Sequence, residues 1–167
     1  KFKNEIKHLN IENKKVTDLN SLNFLLELHK RRMDNFTYAN VRYKIYMDYI
    51  YSVTLLKPVD INKAYLENII SCFIEQSCLD LVKKELKKGK IQKQVDVSIT
   101  FKKSILNITV KNNGYEVRNI NSLFISDMDN KYILEAKNLA NSINGKLDVA
   151  LGENNEGMQY SLEVKLK

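Results

Sequence analysis

Apolar residues recur along this chain with two periods, and the switches between them divide it into elements. Residues 1–16 are polar with scattered apolar positions and read as a fraying helix or an extended lead-in. From Thr17, a residue suited to capping a helix, Leu22, Leu25, Leu26, Met33 and Phe36 follow at three- and four-residue spacings. That spacing predicts a helix with one apolar stripe, ending near Asn35 to Tyr38. Strict alternation then takes over, with Val41, Tyr43, Ile45, Met47 and Tyr49 set against Asn40, Arg42, Lys44, Tyr46 and Asp48. A period of two is that of a half-buried strand. A second short strand, Ser52 to Leu56, is expected before the single proline, Pro58.

Asp60 is placed to cap the next helix, whose core face runs through Leu66, Ile69, Ile70, Phe73, Ile74, Leu81 and Val82 to about Lys88, with Gly89 as its stop. Residues 95–101 and 105–110 alternate clearly and are joined by a polar turn, the pattern of an antiparallel hairpin. Asn112-Asn113-Gly114 breaks the second strand, and residues 115–130 form a polar connection with a short apolar patch at Leu123, Phe124 and Ile125. A third helix carries Tyr132, Ile133, Ala136, Leu139, Ala140 and Ile143, with Gly145 as its expected left-handed stop. Leu147 to Leu151 and Met158 to Leu166 make a closing hairpin. The order predicts an α+β fold, a two-layer sandwich of a mixed, mostly antiparallel sheet with helices on one face, plus an N-terminal helix.

A chain of 167 residues holds one core, and the division expected is an N-terminal arm and helix over 1–38 and a globular domain over 39–167. No apolar run reaches the ~20 residues a membrane span needs. The chain opens on Lys1 without a signal pattern, which points to a piece of a longer protein. The net charge of +7 raises the question of nucleic acid, and Lys83, Lys84, Lys87, Lys88, Lys90 and Lys93 cluster in one stretch. Lysine, asparagine and isoleucine are abundant throughout while arginine is scarce, so the cluster reads as a solvated helix end and nucleic acid is not expected as a partner. Cys72 and Cys78 lie six apart on a helix, on different faces, and read as small buried hydrophobes rather than metal ligands.

Residues 41–48, the stretch Val59 to Ser77, and Leu134 to Leu151 together carry a resemblance. In order and character they look like the first strand, the N-box helix and the helix-glycine-strand unit of the ATP-binding domain of the GHKL superfamily. Within it they are similar to sensor histidine kinases of the Agr quorum-sensing type, and the resemblance spans about residues 17–167. It implies a domain that binds ATP and Mg²⁺, moves the γ-phosphoryl group to a histidine, and passes it to an aspartate on a response regulator. It also implies the cytoplasmic portion of a membrane-bound sensor, with its sensor region upstream of this chain. The family positions fall on Cys72, Glu75, Gln76, Asn112, Gly114 and Lys131. Several depart from the pattern. Gln76 replaces the asparagine that ligates the metal, one methylene longer, and Cys72 replaces another asparagine, while Glu75 keeps the acid. Asn112 stands where most members use an aspartate toward the adenine amino group, although the Agr-type branch often has a bare asparagine there. The lid stretch, residues 126–134, has no glycine and two acids, Asp127 and Asp129, where the family brings glycine amides to phosphates. ATP binding is therefore expected to be weak or lost, leaving whether the chain is an enzyme open.

The resemblance also asks for a phosphoacceptor histidine. His8 lies in the arm, and His29 shares the stripe of the first predicted helix, at the spacing of the second helix of a dimerisation hairpin, which carries no acceptor in the family. No catalytic residue and no acceptor is assigned within the chain. The stripe itself predicts a homodimer, since an amphipathic helix must cover its apolar face. An alternative from another class is a non-ATP-binding adaptor or phosphotransferase, resembling the sporulation phosphotransferases, that docks response regulators.

Overall fold

The computed structural model describes residues 16–17, 19–51, 59–124 and 130–166. The arm before Val16, the strand expected over 52–56 and lid residues 125–129 lie outside them. The elements run β1 (Val16–Thr17), α1 (Leu19–Met33), β2 (Phe36–Tyr38), β3 (Val41–Tyr43), β4 (Ile45–Tyr51), β5 (Val59–Asp60), α2 (Lys63–Lys88), β6 (Lys93–Lys102), β7 (Ile105–Asn112), a short 3₁₀ turn (Ile120–Phe124), α3 (Lys131–Ser142), β8 (Lys146–Leu151) and β9 (Met158–Lys165). β4, β6, β7, β9 and β8 form a five-stranded sheet in that order, with β4 parallel to β6 and every other pair antiparallel. Two small ribbons, β1 with β5 and β2 with β3, complete the strands among the described residues. This is the α+β arrangement of helices against a mixed sheet.

Register explains why only one face is covered. Tyr49, Val97, Val110, Tyr160 and Val149 lie side by side across the five strands, and Tyr51, Ile99, Ile108, Leu162 and Leu147 form the next row. The intervening positions are exposed, as at Asp48, Asp96 and Lys111, or half-buried, as at Thr109 and Ser161. A period of two thus presents one apolar face to the helices, and α2 fills it with Leu66, Ile69, Ile70, Phe73, Ile74 and Leu81, all fully buried. Phe73 stacks on Tyr160 with ring centroids 5.9 Å apart. The stripe of α1 is covered within the chain: Leu22, Leu26 and Met33 join the same core, and the helix packs on β4 and α2. The uncovered face that predicted a dimer is therefore already filled.

Four local readings change. The first helix stops at Met33, and Phe36 to Tyr38 form β2, paired with β3 through a two-residue turn at Ala39 and Asn40, both with positive φ. The alternating stretch 40–49 is broken at Lys44 into β3 and β4. The cap of α2 is Asn62, whose Oδ1 accepts from the Tyr65 backbone N–H at 3.1 Å, while Asp60 ends β5. After α3 the left-handed residue is Asn144, at φ 54, and Gly145 serves by its size, because a Cβ there would lie 2.8 Å from Leu162 Cδ1. Replacing Asn62 by Ala is expected to lower stability by about 1 kcal/mol in urea unfolding, by orphaning that N–H; an unchanged midpoint would count against the cap.

Candidate functional site

The centre of α2 carries polar residues where its core spacing calls for apolar ones. Gln76, Ser77 and Asp80 are all buried, on the side packed against β7 and β9. Three donors converge on Asp80. Its Oδ1 accepts from Gln76 Nε2 at 3.3 Å, and its Oδ2 accepts from Asn112 Nδ2 at 3.2 Å and from the Tyr160 hydroxyl. Asn112 ends β7, and its Oδ1 accepts from the Gly114 N–H at 2.8 Å. The chain then crosses α2 so closely that the Tyr115 N–H reaches the Asp80 carbonyl at 2.9 Å. Burial raises the Asp80 carboxyl to about 7, against the pull of its three donors and of the Lys83 charge. Burial and the neighbouring carboxylate push the Tyr160 hydroxyl well above its ordinary value. Gln76 Oε1 and Ser77 Oγ are buried with no hydrogen-bond partner.

Beside this network lies a cavity of about 890 Å³, bounded by the end of α1, β2, α2, the connection after β7 and the start of α3. Its apolar lining includes Phe36, Leu79, Val82 and Leu123, and its cationic lining is Arg32, Lys83, Lys87 and Lys131. Glu75, also in the lining, is ion-paired with Arg32, which ties α1 to α2.

The expected site residues part company here. Glu75, Gln76 and Lys131 line the cavity; Cys72, Asn112 and Gly114 do not. The Cys72 thiol is buried and turned toward Glu135 of α3, with burial first and that carboxylate second pushing it up to about 12. Such a thiol stays protonated and inert. Lys131 Nζ sits 4.9 Å from the centre of the Tyr132 ring. His29 is buried, shares a hydrogen bond with Ser71 Oγ at 3.0 Å through Nε2, and is lowered to about 4 by burial and then by Arg32. Among the described residues, no group of three or more His, Cys, Asp or Glu side chains is arranged to hold a metal ion. Asp80, Tyr160, Lys83 and Lys87 were not singled out from the sequence as site residues. Lys83 and Lys87 belong to the lysine cluster read as a solvated helix end, and Asp80 left a trace by falling seven residues after Phe73, on the stripe that packs the core.

No family model matches the chain, and no curated protein matches it by sequence. Solved structures do match in fold. The catalytic domain of histidine kinase ThkA, in a nucleotide-free form, superposes with a TM-score of 0.63 at 10% identity, over 90% of this chain and 94% of that one. A second nucleotide-free form of the same domain gives 0.61 at 11% identity, over 90% and 95%. The Acinetobacter baumannii histidine kinase AdeS gives 0.69 at 9% identity, over 92% of this chain and 67% of that one. The fold is that of histidine-kinase catalytic domains.

Proposed function

We propose that this chain is the ATP-binding-domain portion of a two-component sensor histidine kinase in which nucleotide binding is weakened or lost. The observation that carries the proposal is the commitment of Asn112. Its Nδ2 donates to Asp80 and its Oδ1 accepts from the Gly114 N–H, so the side chain that the resemblance offers to adenine is buried and held by two internal hydrogen bonds. The metal position fares similarly. Gln76 turns its amide N–H toward Asp80, its Oε1 is enclosed, and the neighbouring Glu75 is neutralised by Arg32. An octahedral Mg²⁺ needs accessible oxygens at fixed positions, and this set does not fit it. No phosphoryl-transfer step is therefore assigned to these residues.

In this reading the domain acts as a docking scaffold in a phosphorelay, with a response regulator as partner and a second copy meeting it through the outer face of the N-terminal helix rather than the covered stripe. One observation favours the adaptor form of the idea. Phe24 and Leu28, one turn apart on α1 and opposite the covered stripe, stay 66% and 47% exposed. The Agr-type reading rests on the resemblance carried by residues 41–48, 59–77 and 134–151, with which the bare Asn112 agrees, and a place in the cytoplasmic portion of a membrane sensor is what that resemblance implies. Among the described residues no helix is long and apolar enough to cross a membrane.

The test is a calorimetric titration with ATP and Mg²⁺, paired with a thermal-shift assay, since a ligand that binds only the folded state raises its melting temperature. The expected outcome is no Mg²⁺-dependent heat and no Mg²⁺-dependent shift at millimolar ATP. Micromolar binding that requires Mg²⁺ would overturn the proposal.

A further inference from the structure

We infer that the cavity beside α2 takes an organic anion with an apolar body, held by lysine side chains and without a divalent cation. This deepens the reading above, because it names the ligand class of the altered site. A volume of about 890 Å³ suits a small-molecule ligand. The floor is apolar, with Phe36, Val82 and Leu123 buried within it, and it excludes water from whatever lies on it.

The charge at the rim is positive. Lys83 and Lys87 are one helical turn apart, and their ammonium groups lie 4.6 and 4.5 Å from the centre of one ring, that of Tyr115. Like charges at this spacing repel, and the ring face only partly offsets it. Lys131 adds a third cation from α3. Among the described residues none of the three is ion-paired to a carboxylate. The two carboxylates in the lining are occupied, Glu75 by Arg32 and Asp80 by its three donors. An anion seated at the rim would relieve the repulsion and meet charge that in a metal-dependent site would come from the ion.

The probe is 1-naphthyl phosphate, titrated in EDTA by fluorescence and calorimetry, with 1-naphthol and inorganic phosphate as its separated halves. Saturable binding in EDTA is expected, unchanged by added Mg²⁺ and weakened at least about tenfold when either half is removed. The double variant Lys83→Glu, Lys131→Glu is expected to lose at least about tenfold in affinity, whereas Lys102→Glu, Lys165→Glu, with the same charge change at exposed positions outside the lining, stays within about twofold. Circular dichroism and melting temperature establish that both variants fold. No saturation at millimolar probe, equal binding of 1-naphthol, equal loss in both variants, or a requirement for Mg²⁺ would each overturn the inference. Mg²⁺-dependent ATP binding would overturn the functional reading instead, so the two failures are told apart.

Discussion

Gly114→Ala is expected to lower the free energy of unfolding by about 3 kcal/mol or more, a large effect for a single methyl group. A Cβ at this position would lie 2.5 Å from the Asp80 carbonyl carbon and 2.7 Å from the Leu81 nitrogen, both backbone atoms in the interior of α2. A side chain in the way can rotate; a helix backbone cannot. The strand exit would have to lift off α2, breaking the bond from the Tyr115 N–H to the Asp80 carbonyl and loosening Asn112 from the Asp80 carboxylate. Gly89→Ala provides the contrast. A Cβ there meets nothing within 4 Å, but the residue sits at φ 90 and ψ 178, a region open in practice only to glycine, so only the backbone conformation is penalised, at about 1–3 kcal/mol. Urea midpoints of the two variants test the comparison. A Gly114→Ala protein as stable as the parent would mean that β7 and α2 do not approach as described.

The second large effect concerns pH, where two buried groups oppose one another. Asp80 rises on folding from an ordinary carboxyl value of 3.8 to about 7, so between those values the folded protein holds a proton that the unfolded chain has released. Stability from this group is full below pH 4 and lost as pH rises toward 7, by up to about 4 kcal/mol. His29 falls on folding from 6.5 to about 4, so in nearly the same window the unfolded chain binds the extra proton. Its contribution is present above pH 6.5 and lost as pH falls toward 4, by up to about 3 kcal/mol. The two slopes largely cancel in the parent. Asp80→Asn is expected to gain stability steeply from pH 4 to 6.5, and His29→Gln to lose it over the same range. The slope is the readout, since the amide introduced by Asp80→Asn replaces one acceptor oxygen by an N–H facing one or two of the converging donors and lowers the overall level at every pH. The lowered carboxyls of Glu85, paired with Lys93, and Glu116, paired with Lys84, act below about pH 4.5, outside most of this window. Parallel slopes in the two variants would remove the argument.

The periodic segments were legible because period reports burial. Residues 95–101 and 105–110 could hardly be anything but a hairpin, and the stripe through Leu66, Phe73 and Leu81 marked the face that α2 buries. Residues 36–38 misled because Phe36 follows Met33 at a helical spacing, while the two positive φ values that turn β2 into β3 fall on Ala39 and Asn40, and alanine gives no turn signal. The site was half legible. Gln76 and Asn112 could be placed by resemblance, yet what matters is the group they share, and Asp80 was hidden because Asn112 and Tyr160 reach it only after β7 and β9 have paired. Likewise the stripe of α1 predicted a partner, and the partner is the protein's own β4 and α2.

The position of β4 governs the order in which the molecule assembles. β6 with β7 and β8 with β9 are neighbours in sequence and close as short hairpins, whereas β4 pairs in parallel with β6 only after the whole of α2 has crossed between them. Closing that longer loop carries the larger entropic cost, so the two hairpins zip before β4 pairs. It remains at the rim of the sheet with one neighbour, and α1 rests on it. Because β4 meets the sheet along a single edge, the cohesion of the first helix and its strand with the rest comes from the packing of Leu22, Leu26 and Met33 into the shared core, and amide exchange in β4 is expected to report on that packing.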